Sequence, residues 1–173
     1  MGTAGFIGGF VELKEQLDEM GLHVDYLFHA NGTGSTMAGL VAGKRLLGSD
    51  IRIVSVDVSC HGGDYKRSRV QLGNDTLRWL GAEPVLREED FDIDASYYLP
   101  GYEIPSEGGT EAIKMMAEKE GLLLDPVYSG KGFAGLIDYV RSGKVAPGSN
   151  VVFLHTGGAT ALFAEKEILG KLW

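Results

Sequence analysis

His29-Ala30-Asn31-Gly32-Thr33-Gly34-Ser35-Thr36-Met37-Ala38-Gly39 is the stretch on which the fold turns. The mostly apolar run 24–30 before it reads as a buried strand, and 36–47 after it as a helix. The turn between them holds two glycines and three hydroxyl residues. Glycine lets backbone approach a ligand closely, and a helix start offers unpaired N–H groups at the positive end of its dipole. Thr33, Ser35 and Thr36 add hydroxyl donors, so the loop suits an anion. A tight turn with a Ser or Thr cap accounts for the same residues.

Outward from this loop the same alternation repeats. Phe10, Leu13, Leu17 and Met20 fall at helical spacing, ending at Gly21. Residues 51–58 are β-branched and read as a strand, 64–80 as a helix, and Pro84-Val85-Leu86 as the start of a short strand. The acidic, aromatic stretch 88–104 reads as a loop. A helix is expected over 106–120, with Ser106 as N-cap and Glu107 in an acidic first turn. Leu122-Leu123-Leu124 reads as a short buried segment. A further helix covers 131–142, a strand 151–155, and a last helix 160–168. Strand–helix alternation of this kind predicts an α/β fold of three layers, with a mostly parallel sheet between helices. Ligands of such sheets lie beyond the carboxyl ends of the strands, where loops 31–35, 128–132 and 156–159 fall. With no repeat and no linker, residues 1–173 read as a single domain.

The 173 residues carry a formal net charge of −8, which argues against nucleic acid or an anionic membrane as partner. No apolar stretch approaches the ~20 residues of a membrane span, and residues 1–5 lack the features of a signal peptide. The single Cys60 excludes an internal disulfide, which fits a cytoplasmic protein. Glycine, at 26 residues, is roughly double its usual share. His23, His29, His61 and His155 show no metal-ligand spacing, so no metal is expected. Cys60-His61 reads as a chance loop pair, and Trp79 and Tyr26 as core or packing residues. Tyr97 and Tyr98 are candidates for an entrance or a dimer contact.

Which phosphate the loop would take is narrowed by motif. A dinucleotide loop needs a third glycine where Met37 stands, although Asp57 closes the next strand as such a site requires. A Walker-type loop fails, with Ala38 at its first position and Arg45 after Gly43-Lys44.

Asn31–Leu40 resembles the phosphate loop of 1-aminocyclopropane-1-carboxylate (ACC) deaminases and D-cysteine desulfhydrases. Leu124-Asp125-Pro126-Val127-Tyr128-Ser129-Gly130-Lys131-Gly132 resembles a second signature of that family, and His155-Thr156-Gly157-Gly158-Ala159-Thr160 a third. Residues 101–113 resemble a fourth. The order is the family's, and the resemblance covers nearly the whole chain. It implies the fold of the larger domain of tryptophan synthase β-like (fold type II) enzymes, and pyridoxal 5′-phosphate (PLP) as cofactor. By resemblance Asn31, Gly32, Thr33, Gly34, Ser35 and Thr36 hold the phosphate, with Thr156 and Gly157 also at the cofactor. Tyr128 lies in the active site, and Ser129 faces the pyridine nitrogen. A serine there favours a neutral ring, where glutamate would favour a protonated one.

The family's Schiff-base lysine lies in an N-terminal motif, and none of the nine lysines here has that context. Lys131 belongs to the second signature and is not that lysine; Lys44 reads as a surface residue. The chain is therefore similar to the C-terminal half of the family: a partial PLP-binding catalytic domain, expected to be inactive alone. Ser129 tilts the expected chemistry to β-elimination from a small amino acid, giving pyruvate and ammonia. ACC deamination is the runner-up, and a non-catalytic anion-binding or interaction domain stands outside both. Apolar surface left uncovered implies a homo-oligomer or a complementary N-terminal chain as partner.

Overall fold

A computed structural model of the chain describes residues 2–164. Helix α1 (Gly2–Glu19) leads into β1 (Tyr26–Asn31), α2 (Ser35–Leu47), β2 (Arg52–Asp57) and α3 (Tyr65–Trp79). A short 3₁₀ turn, Glu88–Asp90, precedes β3 (Asp92–Asp94); α4 (Glu107–Glu120), α5 (Ser129–Arg141) and β4 (Val151–Leu154) follow. All neighbouring strands pair parallel, in the order β3-β2-β1-β4.

The three layers follow from the pleat. Leu27 and Ile53 face one side and pack with Phe10, Met37, Leu40 and Val41 of α1 and α2. Phe28, Val54 and Val56 face the other and meet Tyr139 of α5. Behind α5, Ile113 and Met116 of α4 close a third cluster with Leu124 and Leu162. Both faces of β1 and β2 are covered, which is why β1 reads as a mostly apolar run and β2 as β-branched on both sides. The three-layer parallel α/β class is as the sequence implies.

Several local readings change. Helix α1 starts at Gly2, well before Phe10. Its glycines hid that start, because glycine is a poor helix former. Packing overrides this: a Cβ on Gly39 of α2 would stand 2.4 Å from the Thr3 carbonyl oxygen, so the two helices cross almost in backbone contact. Pro84-Val85-Leu86 forms no strand. The Leu86 N–H and carbonyl are instead taken by the Asn74 side-chain amide, at 2.9 and 3.0 Å. The loop expected over 88–104 holds β3, an edge strand whose Asp92 pairs with Arg52 at 2.7 Å. Its short length and acidic ends masked the alternation. Leu122 and Leu123 are exposed, and only Leu124 is buried. Trp79 is 67% exposed, not core. Residues 159–164 form a 3₁₀ turn in place of the start of a helix, and the rest of that expected helix lies outside the described residues.

The fold sets up the site through register. Asn31 and Asp57 are paired neighbours at the carboxyl ends of β1 and β2. Helix α5 sits low over β1 at Gly132, where a Cβ would stand 2.6 Å from that of Ala30. The loop before α5 is thereby carried to the same edge of the sheet.

Candidate active site

The turn from β1 to α2 is built to leave donors free. Gly34 is the N-cap of α2, in the left-handed region at φ 83°, and makes no side-chain cap. The first backbone bond of the helix runs from the Ala38 N–H to the Gly34 carbonyl, 2.9 Å. Among the described residues, no acceptor of the chain meets the N–H groups of Thr33, Gly34, Ser35 or Thr36. The start of any helix leaves such donors to be satisfied by caps, water or a ligand. Ser and Thr hydroxyls flank the turn, but no side chain caps the helix, so the alternative reading, a hydroxyl cap, is not what the structure contains.

The carbonyl side of the same turn is occupied. The Gly32 carbonyl accepts from the Tyr65 hydroxyl at 2.6 Å and from His61 Nε2 at 2.8 Å. Arg69 Nη1 donates to the Thr33 carbonyl. Asn31 Nδ2 donates to the Tyr65 hydroxyl at 2.9 Å, while Asn31 Oδ1, fully buried, has no partner. Asp57 lies 3.4 Å from His61 Nε2; burial raises its pKa, partly offset by the Ser59 N–H and His61. Burial also raises the pKa of Tyr65.

Tyr128 stands over the turn. A Cβ on Gly32 would lie 3.2 Å from its ring, so any larger residue there would press on Tyr128. Its hydroxyl donates to the Ala30 carbonyl at 2.8 Å. Burial first, then the neighbouring Tyr102 and Tyr65, pushes its pKa up to about 12. At neutral pH it is a phenol that holds a proton.

The residues beside Tyr128 are closed on themselves. Asp125, buried, accepts the N–H groups of Val127, Tyr128 and Ser129 at 2.9, 2.7 and 2.8 Å. The Ser129 hydroxyl donates to Asp125 Oδ1 at 2.5 Å and accepts the Asp125 N–H at 2.9 Å. The Ser129 hydroxyl is thus engaged with Asp125. Meeting a ring nitrogen as a donor requires this proton to leave Asp125. The stretch 155–158 abuts the same carboxylate: a Cβ on Gly158 would stand 2.8 Å from Asp125 Oδ1. His155 accepts the Gly157 N–H at 3.1 Å and bonds the Leu123 carbonyl at 3.0 Å. Thr156 and Gly157 are exposed at this edge. Lys131 is buried, with its amine on the carbonyls of Tyr98 and Gly101.

The three glycine loops therefore converge, as the sequence implies. From sequence, Tyr65, Arg69 and Tyr102 have no role, His61 reads as half of a chance loop pair, and Asp125 is only part of the second signature. Nothing local marked Tyr65 or Arg69.

A parallel α/β sheet with an anion-ready helix start at its carboxyl edge is the arrangement by which proteins of this class bind phosphorylated ligands. The chain belongs to the pyridoxal-phosphate dependent enzyme family, whose pattern matches residues 2–157. It is 39% identical over 163 residues to a probable ACC deaminase of Schizosaccharomyces pombe, covering 94% of this chain and 48% of that protein. An ACC deaminase of Burkholderia cenocepacia is 38% identical over 97% of this chain and 50% of its own length. The solved structure of an ACC deaminase homologue matches 99% of this chain and 50% of its own, with TM-score 0.86 and 30% identity. A solved threonine deaminase shares the fold over 90% of this chain and 58% of its own, at TM-score 0.58 and 20% identity. The chain spans about half the length of the curated relatives it matches. Free N–H groups, glycines that leave room and an unpaired buried Asn31 oxygen fit the PLP that the family uses.

Proposed function

We propose that this chain is a partial catalytic domain of a cytoplasmic PLP-dependent lyase that deaminates a small amino acid. The observation that carries this is the open start of α2 directly beneath Tyr128. Asn31 and Gly32 to Thr36 would hold the phosphate, with Thr156 and Gly157 at the rim. Bound there, PLP supplies an electron sink for bonds at the substrate α-carbon. The residues of this chain bind, orient and exclude water, and Tyr128, protonated at neutral pH, holds a proton over the loop. D-cysteine-type β-elimination to pyruvate and ammonia is the favoured reaction; it rests on a serine at position 129 and requires its hydroxyl to turn from Asp125 to the pyridine nitrogen when the cofactor is bound. The second reading, ACC deamination, is supported equally by the relatives' names.

Two lysines support inactivity of the chain alone: Lys131 is bonded to the Tyr98 and Gly101 carbonyls, and Lys44 lies in the last turn of α2, at the opposite end of that helix from the open loop. The exposed Leu99, Tyr102 and Ile104, near the loop that takes the Lys131 amine, support covering by a complementary chain or a second copy. Incubation with PLP, borohydride reduction and peptide mapping tests the reading. Reversible binding displaced by inorganic phosphate is expected, without a stoichiometric lysine adduct. No binding at all refutes the cofactor site, and one labelled lysine refutes the inactivity. Supplying the other half of the relatives' chain should restore turnover. Pyruvate from D-cysteine, or a four-carbon oxo acid from ACC, then separates the two substrates. Light scattering of the chain alone should read more than one chain per particle.

A further inference from the structure

Two successive carbonyls of the phosphate loop are held from outside the loop. The Gly32 carbonyl takes two hydrogen bonds, from Tyr65 and His61 at 2.6 and 2.8 Å. The next carbonyl, of Thr33, takes one from Arg69. The three donors brace one another. The His61 and Tyr65 rings stack at 3.7 Å and 4°, and the Arg69 guanidinium lies 5.4 Å from the Tyr65 ring centre. Asn31 Nδ2 fixes the Tyr65 hydroxyl from below.

The consequence follows from the planarity of the peptide. In a trans peptide the N–H points opposite to the C=O of the residue before it. Fixing the Gly32 carbonyl therefore aims the Thr33 N–H away from α3, and fixing the Thr33 carbonyl aims the Gly34 N–H likewise. These are the first two of the unpaired donors of the loop. Successive N–H groups held in this way form an anion-binding concavity. Arg69 is not placed as a phosphate ligand, because it bonds the carbonyl face of the loop. A Cβ on Gly34 would stand 2.3 Å from Arg69 Cδ and 2.6 Å from the Tyr65 hydroxyl, so α3 fills that face.

We propose that Tyr65, His61 and Arg69 are positioning residues which hold the loop in its phosphate-receptive form. The proposal rests on the reading of the loop as the cofactor phosphate site, and deepens it. These residues confer preference for a phosphorylated ligand over the same ligand without phosphate, although none touches the phosphate.

The test is equilibrium binding of inorganic phosphate, PLP and unphosphorylated pyridoxal to the whole chain, with the melting temperature read with and without phosphate. Tyr65→Phe keeps the ring and removes only the hydroxyl. It is expected to weaken phosphate and PLP about tenfold, the worth of one hydrogen bond of about 1.4 kcal/mol. Pyridoxal binding should not change. Arg69→Ala and His61→Ala should act in the same direction. His61→Gln, whose amide can still donate to Gly32, should restore most of the loss. The phosphate-dependent rise in melting temperature should shrink in the weakened variants, over and above the few degrees that Tyr65→Phe loses without phosphate because Asn31 Nδ2 is left unpaired. Wild type that binds phosphate, with all three variants binding it equally well, overturns this proposal and leaves the site intact. Wild type that binds neither phosphate nor PLP overturns both. Equal loss of pyridoxal and PLP in Tyr65→Phe also overturns it, since the effect would then not pass through the phosphate.

Discussion

Two helix starts stand side by side at the carboxyl edge of the sheet, and the chain treats them in opposite ways. At α2, the N–H groups of Thr33 to Thr36 meet no acceptor of the chain among the described residues. At α5, the Asp125 carboxylate takes three N–H groups and the Ser129 hydroxyl. Both ends carry the same partial positive charge. One is neutralised from within and becomes scaffold; the other is left for a ligand. The difference shows that a glycine- and hydroxyl-rich helix start becomes a site only where the chain withholds its own acid.

The largest effect should come from opening the closed end. Asp125→Ala strips acceptors from three buried or half-buried N–H groups at 2.7–2.9 Å. Breaking such a buried charged network costs about 3–5 kcal/mol. Urea unfolding of this variant should shift by that amount, and Asp125→Asn, which keeps one acceptor oxygen, by less. A variant as stable as wild type would dissolve the contrast between the two helix starts.

A second effect runs through the residue that ties the two regions together. The Ala30 carbonyl accepts from Tyr128, and from His29 Nδ1 at 2.8 Å. His29 is fully buried, with Ser55 Oγ 2.8 Å from Nε2. Burial lowers its pKa from 6.5 to about 4, the bond to Ala30 opposing. Between those values the unfolded chain binds more protons than the native one. Stability is therefore whole above pH 6.5, falls as the pH drops toward 4, and loses about 3 kcal/mol from this group in all. Urea midpoints taken across that window should show the slope. In His29→Leu/Ser55→Ala, which removes the imidazole and its partner together, the slope should flatten. Parallel curves for the two proteins would show that His29 titrates normally in the native state.

Much of this was legible in the sequence, and the residues explain where legibility stopped. The strand before Gly32 and the helix after Ser35 follow from local pattern, because a buried parallel strand and an amphipathic helix each write their own period. That loops 31–35 and 128–132 share one edge of the sheet followed from the strand–helix alternation, while the place of Tyr128 in the site was legible only through resemblance. Asn74 capping Leu86 was not legible, because one side-chain amide replaced a whole strand's hydrogen bonding. Nor was the Tyr65–His61–Arg69 brace, which consists of ordinary helix-surface residue types whose role depends on which loop they face. Ser129 marks the same limit: its residue type suggests a ring partner, and its hydrogen bonds make it part of a cap.

The smallest effect is the one that decides that last point. Ser129→Ala removes a donor to Asp125 and an acceptor for the Asp125 N–H, while the carboxylate keeps its three backbone partners. The expected cost is about 1 kcal/mol of stability, the net worth of a hydroxyl bond. If Ser129 belongs to the closed end, PLP bound reversibly to the chain should keep the same absorption spectrum in Ser129→Ala as in wild type, because nothing at the ring has changed. If instead the hydroxyl swings out to the pyridine nitrogen when the cofactor arrives, its loss alters the protonation of the ring, and the absorption of bound PLP shifts with it. The two measurements move independently: stability reads the bond to Asp125, and the spectrum reads the bond to the ring. An altered spectrum with unchanged stability would return Ser129 to the cofactor, and the boundary between scaffold and site would then pass between Tyr128 and Asp125.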